Sequence, residues 1–378
     1  MFNEIELLSV ITDIAAGPFG SNLKVSCFVP YGFPIIDGAN LKGFKVTDNL
    51  TKFVTEDKAR SLGRSIARRG DVVVTISGTL GQIAYIPNDS MYEEYLCSQR
   101  QFRVSFDTSR VYVPYLVFYF HTNEGQNKIL AFANQTGVPA LSQPLKNFKK
   151  IRIHLPSYDE QRRIASVIES INNKIECNQK INDNLQQQAF VLFDSFFRNI
   201  SDGLCTIGDY LTPKRGRNLL SKDAIPGTVP VVAGGLEPAT YHNTPNTTAP
   251  VLTISASGAN AGFVNLWHKP VWSSDSSFID SSMTKDVYFW FVMLKKRQRE
   301  IFDAQTGSAQ PHIYPQHIAA MPVCALDKSA ISLFSSQVAP LFALIGANKD
   351  ENERLSAIRD TLLPRLISGE IDVSDVKL

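Results

Sequence analysis

The chain has 378 residues, of which 44% are hydrophobic and 20% charged, and its formal net charge is +2. These values describe an ordinary globular protein with room for two or three domains, and the mildly positive globular segments permit nucleic-acid binding without indicating it strongly. No run approaches 18 apolar residues and the start, MFNEIELLSV, lacks the features of a signal peptide, so we expect no membrane span. Five widely spaced cysteines without a CxxC pair favour reduced thiols in a cytoplasmic protein and argue against a metal site.

Residues 1–155 are predicted to form a mixed α/β domain. Apolar runs bounded by Gly, Pro and Asp predict strands in GFPIIDGANLKG and in GDVVVTISGTLGQIAYIP. A helix is expected in VPYLVFYFHTNEGQNKILAFA, where apolar residues follow helical spacing. A polar loop, NQTGVPALSQP, and a last strand, KKIRIHLP, complete the segment.

Residues 156–200 are predicted to form one long helix that begins after Pro156 and carries Asp159 and Glu160 in its first turn, where negative charge is favourable. Its apolar residues recur in steps of four and three, which is the heptad pattern of a coiled coil. At 1.5 Å per residue, some forty residues make a rod of about 60 Å, and its apolar stripe needs a partner. The seam consists of Ile164, Ile168, Ile171, Ile175, Asn178, Asn182, Leu185, Ala189, Leu192 and Phe196.

Residues 201–326 repeat the pattern of the first domain. GTVPVVAGG corresponds to GFPIIDGAN, and APVLTISASGANAGFV corresponds to GDVVVTISGTLGQIAYI, so that Gly258 takes the place of Gly78. KDVYFWFVMLKKRQREIF corresponds to the helix, and AQTGSAQPHIYPQ corresponds to the polar loop. We therefore expect a second domain of the same mixed α/β fold.

Residues 327–378 repeat the long helix. A shift of 170 residues places Asn178 and Asn182 on Asn348 and Asn352, and two polar seam positions in the same register are difficult to attribute to chance. The alternative is a pair of unrelated amphipathic helices in a globular core. The second seam consists of Phe334, Val338, Leu341, Ile345, Asn348, Asn352, Leu355, Leu362 and Leu366.

The chain is thus predicted to be a tandem duplication of the α+β class, with two similar mixed α/β domains separated by two long antiparallel coiled-coil helices and related by a pseudo-two-fold axis. The best antiparallel register places Asn178 opposite Asn352 and Asn182 opposite Asn348, where they fix the pairing of the helices. The alternative is that the seam frays there and both side chains meet water. One mismatch, Ile171 opposite Arg359, is acceptable if the arginine extends its charge into water. The other pairs are apolar: Ile175 with Leu355, Leu185 with Ile345, Ala189 with Leu341, Leu192 with Val338 and Phe196 with Phe334.

Three stretches carry a specific resemblance. LPSYDEQRRIASVIESINNKIECNQ, the tail LFDSFF and the C-terminal LSAIRDTLLPRLISGEI resemble the specificity subunit of type I restriction–modification systems. The resemblance covers essentially the full length and includes the duplication, the order domain–helix–domain–helix and two Thr-Gly loops. It departs at the second helix, which begins with LDKSAISLF and lacks the Glu160-Gln161 pair of the first.

The resemblance implies a DNA-binding subunit without catalysis of its own. Each globular domain is then a target recognition domain that recognises one half of a split sequence in double-stranded DNA. The helices act as spacers and dock two methyltransferase subunits, which recruit ATP-driven restriction/translocase subunits. No cofactor is expected on this chain, since S-adenosylmethionine, ATP and Mg belong to the partner subunits, and no membrane partner is expected.

The motifs absent from the sequence agree with this implication. We find no GxxxxGK[ST] phosphate loop, no NPPY-type methyltransferase motif, no HExxH and no GxSxG. Three alternatives stay open: a specificity subunit of a methylation-only or combined restriction–methylation system, a self-contained DNA-modifying enzyme, and a coiled-coil scaffold that binds only protein.

Polar loop residues are the candidates for DNA contacts, because side chains recognise base edges while cations and backbone N–H groups hold phosphates. For each of them the alternative is a loop residue that satisfies backbone groups. The TPKRGRN loop is the strongest candidate, because three cations around a glycine suit close approach to phosphate. In the first domain the candidates are Ser21, Asn22, Lys24, Ser77, Thr79, Gln135, Thr136, Ser142 and Gln143. In the second domain they are Lys214, Arg215, Arg217, Asn218, Ser257, Asn260, Gln305, Thr306, Ser308, Gln310 and His312.

Two further clusters have a structural interpretation. His312 and His317 lack cysteine or carboxylate companions at metal-ligand spacing and are interpreted as polar loop residues. The arginines of KARSLGRSIARRG are a second basic patch, for which a solvated helix face is favoured over a DNA contact.

Overall fold

The computed structural model describes residues 3–134, 138–307 and 310–373. It divides into two compact units: one contains the chain up to residue 173 together with the part from 355 onward, and the other contains residues 174–354. The sequence-based division into four segments follows the chain, whereas these units follow the contacts, so each unit contains one globular segment and part of each long helix.

The first unit is built from short strands and four short helices before the first long helix. Its strands are β1 Asn3–Glu6, β2 Ile11–Ala16, β3 Phe28–Val29, β4 Phe33–Ile36, β5 Phe53–Val54, β6 Ile66–Arg68, β7 Val72–Thr75, β8 Ile83–Tyr85, β9 Glu94–Cys97, β10 Gln101–Phe106 and β11 Arg152–Leu155. Its short helices are α1 Glu56–Ser61, α2 Val113–Phe120, α3 Asn123–Leu130 and α4 Pro144–Lys149.

These strands form three sheets. An antiparallel sheet has the order β2-β10-β7-β8, a second sheet has the order β3-β5-β4-β9-β6, and β1 pairs with β11. The core lies between the first of these sheets, α2 and the long helices, where Phe102, Phe120 and Ile168 are fully buried. The continuous apolar runs predicted as strands agree with the structure, because every residue of β4, β7 and β8 is buried.

The second unit repeats this plan. Its strands are β12 Cys205–Thr206, β13 Lys214–Arg215, β14 Val229–Val232, β15 Thr240–His242, β16 Val251–Ser255, β17 Val264–Trp267, β18 Trp272–Ser273, β19 Ser276–Asp280 and β20 Pro322–Val323. The antiparallel sheet has the order β13-β19-β16-β17, β15-β14-β18 form the second sheet, and β12 pairs with β20. Strand for strand, the antiparallel sheets of the two units agree, as the duplication predicts.

The remaining helices are α5 Tyr158–Phe196, α6 Val287–Lys296, α7 Gln298–Asp303, α8 Pro315–Ala319 and α9 Lys328–Ile367. The two long helices, α5 and α9, confirm the predicted alternation of a mixed α/β segment with a long helix. Each begins in one unit and ends in the other.

The two long helices begin differently. Gln161 is fully buried, its amide Nε2 donates to the carbonyls of Arg110 and Pro156 at 3.0 Å each, and its Oε1 accepts from Tyr112 N at 2.8 Å. At the start of α9 the Asp327 carboxylate accepts from Ser329 N at 2.8 Å, which is the capping contact of a helix N-terminus. α5 has a local cap as well, since Ser157 Oγ accepts from Glu160 N at 3.4 Å, so the Gln161 contacts of the first copy are present in addition to its cap.

Within the second unit, α5 and α9 run antiparallel. Asn178 Nδ2 donates to Asn352 Oδ1 at 2.8 Å, and Asn348 Nδ2 donates to Asn182 Oδ1 at 2.8 Å. Farther along, the rings of Phe196 and Phe334 lie 5.9 Å apart, as the register derived from the sequence places them. The asparagines do not fray into water, since Asn178 is 1% exposed and also donates to Glu351 Oε2 at 2.7 Å.

Within the first unit, the expectation for Arg359 was wrong. Its guanidinium does not extend into water: it donates to Asn172 Oδ1 at 3.1 Å and to Asp360 Oδ1 at 2.8 Å, and it lies over the ring of Phe44 at 5.5 Å. A planar, weakly hydrated guanidinium can be held by an aromatic face and two oxygen acceptors at once. The polar position of the seam is thus satisfied inside the protein.

By length and composition alone, α9 could cross a membrane. Part of its apolar surface is used inside the protein: Phe334 and Val338 are fully buried in the second unit, and Leu366 is fully buried in the first. Burial in protein cores therefore accounts for part of the apolar character of the helix, while Leu333 and Leu344 are about half exposed.

The asparagine contacts predict a stability difference between two positions on α5. Replacing Asn178 by alanine removes a buried donor and leaves Asn352 without its partner, so we expect the free energy of unfolding to fall by about 1–3 kcal/mol. Asn184→Ala is the matched control, because Asn184 is exposed and its side chain accepts a hydrogen bond from Gln188 of the same helix; there we expect a change within about 0.5 kcal/mol. Urea unfolding of both variants measures the difference, and equal stabilities would contradict the proposed role of the pair.

Candidate nucleic-acid interface

The candidates of the first domain lie around one groove. The groove has a volume of about 650 Å³ and is lined by Ser77 and Thr79, and by Leu23 and Val25 on either side of Lys24. Ser21 and Asn22 lie exposed just before this segment. The side chain of Lys24 is exposed and makes no ion pair within the described residues, so it is available to an anionic ligand.

Backbone hydrogen bonds bring a second loop to the same place. Gly78 N donates to Pro139 O at 3.0 Å, and Leu141 N donates to Ile76 O at 2.8 Å, so the segment before Ser142 lies beside Ser77. Gly78 has a φ of +93°, a conformation that glycine adopts without strain. Gln143 follows at the start of α4, exposed and in the left-handed region with a φ of +42°. Gln135 and Thr136 lie outside the described residues.

The same framework holds the loops of the second unit. Gly258, with a φ of +81°, donates to Pro311 O at 3.1 Å, and Ile313 N donates to Ala256 O at 2.9 Å. His312 lies between two of the other candidates, because it forms bridges with both Ser257 and Thr306. Gln310 is exposed beside them, and Ser308 lies outside the described residues.

Several candidates of this unit make contacts within the protein. The Gln305 amide donates to Ala261 O at 2.7 Å, and Asn260 is half-buried in a turn closed by the bond from Phe263 N to its carbonyl at 2.9 Å. His312 stacks on Tyr314 with ring centroids 5.9 Å apart. The amide NH₂ of Gln305 thus satisfies a backbone carbonyl, which agrees with the structural alternative for this residue.

In the TPKRGRN loop, the structure gives a different reason for the glycine from the one expected. A Cβ atom on Gly216 would lie 2.4 Å from Ser273 O, so the glycine is required by the close approach of two protein segments and not by a phosphate. Gly216 N donates to Ser276 O at 2.8 Å and Arg217 N to Ser273 O at 2.9 Å, which anchors the loop. Asn218 follows in the exposed part of the loop.

The cations of this loop have different surroundings. Arg215 Nη2 donates to Asp275 Oδ1 at 2.6 Å, and the other oxygen of Asp275 accepts from Ser257 Oγ. The exposed side chains of Lys214 and Arg217 make no ion pair in the part of the chain that the structure describes. The loop therefore presents two free cations and one oriented by a carboxylate.

The other basic patch is held by ion pairs of the protein. Arg60 Nη1 lies 2.5 Å and Arg68 Nε 3.0 Å from the oxygens of Glu94. Burial raises the pKa of the Glu94 carboxyl, but the two guanidinium groups outweigh burial and the net pKa is lowered. Arg60 lies on α1 and Arg64 on the short 3₁₀ helix Gly63–Ser65, whereas Arg68 is on β6. These ion pairs agree with a structural role for the arginines. The arginines lie partly on helical turns and partly on a strand, and not on one helix face.

Several residues at these loops were not found by sequence reasoning. In the first unit the groove also contains an ion pair of 2.6 Å between Lys52 and Asp37, and the exposed Arg100. Burial raises the pKa of the Asp37 carboxyl, but hydrogen bonds from Lys52 and from Ala39 N outweigh it, so the net pKa is lowered and the carboxylate stays charged. Lys52 and Asp37 lie in different segments of the chain, so no local pattern indicates their contact.

The registers of the two antiparallel sheets reveal a charge difference between the copies. Ala16 pairs with Phe102 in the first unit, and Arg215 pairs with Ser277 in the second, so Ala16 and Arg215 occupy equivalent positions. Ile76 N donates to Arg100 O at 2.6 Å, and Ala256 N donates to Asp275 O at 3.1 Å, which makes Arg100 the equivalent of Asp275. The same framework thus carries opposite charges at one position.

Comparison with known proteins gives the family. Residues 30–187 match the model of the type I restriction modification DNA specificity domain. The chain is 23% identical to the type I restriction enzyme MjaIX specificity subunit of Methanocaldococcus jannaschii, over 85% of this chain and 82% of that protein. It is also 23% identical to a putative type I specificity subunit of Mycoplasma pneumoniae, over 79% of this chain and 83% of that protein.

A solved structure agrees in fold. The crystal structure of the type I restriction–modification system S subunit from M. genitalium superposes with a TM-score of 0.56 at 19% identity, over 97% of this chain and 96% of that one. Residues 30–187 therefore belong to the DNA specificity domain family of type I restriction–modification systems. Over most of its length the chain is similar to the specificity subunits of these systems, and the solved structure agrees with it in fold.

Proposed function

We propose that each unit recognises one half of a split DNA target through the loop cluster described above. The observation that carries this proposal is one hydrogen-bonded loop framework, present in both units, that displays different side chains in each. Conserving the framework preserves the position of the loops relative to their sheet, while different side chains select different base edges. Two non-identical halves then give a target that is not palindromic.

We propose further that the chain performs no chemistry. It docks two methyltransferase subunits, which recruit restriction/translocase subunits, and S-adenosylmethionine, ATP and Mg are used there. Exposed apolar side chains on the long helices support docking, since Val191 of α5 is 70% exposed and Leu333 and Leu344 of α9 are about half exposed. Such residues on otherwise amphipathic helices suit contact with a protein partner.

The non-catalytic role predicts inactivity of the isolated chain. Because the sequence contains none of the cofactor motifs named above, we expect neither methyl transfer from S-adenosylmethionine nor ATP hydrolysis. Assays at increasing concentration of purified protein, with the methyltransferase-containing complex as positive control, test this expectation. A rate that rises in proportion to the isolated chain would contradict it.

The division of recognition predicts a separable specificity. Exchanging residues 1–155 for the equivalent segment of a relative should change one half of the methylated motif and leave the other half unchanged. Sequencing the methylated sites in cells that carry either version measures both halves. A change in both halves at once would show that the units do not recognise DNA independently.

Phosphate binding by the free cations predicts a salt effect. Replacing Lys214 and Arg217 by alanine should weaken binding to all sequences and reduce the slope of log affinity against log salt by roughly 0.9 for each phosphate that is no longer neutralised. Lys285→Ala is the control, because Lys285 is an exposed lysine of the same unit in the turn before α6. Equal slopes for the double variant and the control would place these cations away from the DNA.

A further inference from the structure

Asp275 connects two of the candidate DNA contacts. One of its carboxylate oxygens accepts from Arg215 Nη2 at 2.6 Å, and the other accepts from Ser257 Oγ. Both oxygens are therefore occupied by protein donors. These two contacts hold the neighbouring side chains of Arg215 and Ser257.

The backbone beneath this group is anchored on both sides. Gly216 N and Arg217 N donate to Ser276 O and Ser273 O, on either side of Asp275. Ala256 N donates to Asp275 O at 3.1 Å, which attaches the strand that precedes Ser257. Arg215 lies on β13, and Asp275 lies in the bend directly before β19, so the pairing of β13 with β19 brings the two residues together.

Stability alone is a weak reason for this contact. The Arg215 side chain is 41% exposed and that of Asp275 is 31% exposed, and ion pairs this open to water contribute about 0–1 kcal/mol. Orientation is a stronger reason. A guanidinium has five N–H donors in a rigid plane, so fixing one leaves the others aligned toward a second planar acceptor and reduces the entropy lost on binding.

Guanine is a ligand whose binding benefits from an oriented guanidinium. Its O6 and N7 form a pair of acceptors in the major groove that arginine binds in a bidentate manner, whereas a phosphate presents acceptors in many directions and accepts an unoriented cation such as Lys214 equally well. We propose that Arg215 recognises a guanine in the second half of the target, and that Asp275 is the positioning residue for it. This inference rests on the proposed function.

The first unit lacks this arrangement. Its equivalent positions are Ala16 and Arg100, and the Arg100 guanidinium makes no ion pair within the described residues. A guanine contact from the edge strand is therefore specific to the second half-site. The first half-site then serves as an internal control in the same molecule.

The test compares Arg215→Lys, Asp275→Asn and Lys214→Ala in the assembled complex with its methyltransferase subunits. Each complex methylates a DNA library with randomised half-sites, and the methylated products are sequenced. Arg215→Lys keeps the charge and removes the planar fork, while Asp275→Asn keeps the shape and removes the carboxylate. We expect both to relax the same single G·C position of the second half-site by about tenfold to a hundredfold, the size of one bidentate contact.

Lys214→Ala should lower methylation of all sequences without changing any preference. Retention of the first half-site preference in each variant shows that the complex is folded and assembled. If Asp275→Asn does not fold, Arg215→Lys alone decides, since an unchanged motif for that variant overturns the guanine contact. Relaxation at different positions in the two variants overturns the positioning role. If the unmodified complex methylates DNA without a split motif, the proposed function itself is wrong. This result is obtained without any variant, so it can be distinguished from a failure of the Arg215 contact.

Discussion

The structure depends on the burial of the apolar faces of α5 and α9. The core of the first unit contains Ile164 and Ile168 from α5 together with Leu363 and Leu366 from α9, and the core of the second contains Phe193 together with Phe334. Each core is therefore completed by both helices, one from each copy of the duplicated segment. Since burying a side chain of this size contributes about 1.5–3 kcal/mol, a single copy without the other helix would leave a large apolar face exposed to water.

Much of this arrangement could be predicted from the sequence, because the relevant patterns are local or repeated. Heptad spacing requires only neighbouring residues, and the asparagines at 178, 182, 348 and 352 identify the register, since buried polar groups need partners. The duplication predicted that the second domain has the same mixed α/β fold as the first. The alternating segments and the Thr-Gly loops were visible for the same reason.

What could not be predicted depends on contacts between distant segments. Arg215 and Asp275 are sixty positions apart, and only the pairing of β13 with β19 brings them together. The stacking of Arg359 on Phe44 likewise joins the last helix to an early loop. From the sequence, Gly216 of the TPKRGRN loop was expected to allow close approach of a phosphate, whereas in the structure it allows close approach of Ser273. In each case the sequence indicated one residue of the contact, and the residue that it contacts was found only in the structure.

The attachment of α5 at Gln161 has a consequence for how the protein can change. All three hydrogen bonds of the Gln161 amide go to backbone atoms, at Arg110, Tyr112 and Pro156. The strength of this joint therefore does not depend on which side chains occupy the globular side, provided that the backbone follows the same path. Sequence drift in the segment before the helix leaves the joint intact, whereas a change at position 161 breaks it whatever the segment contains.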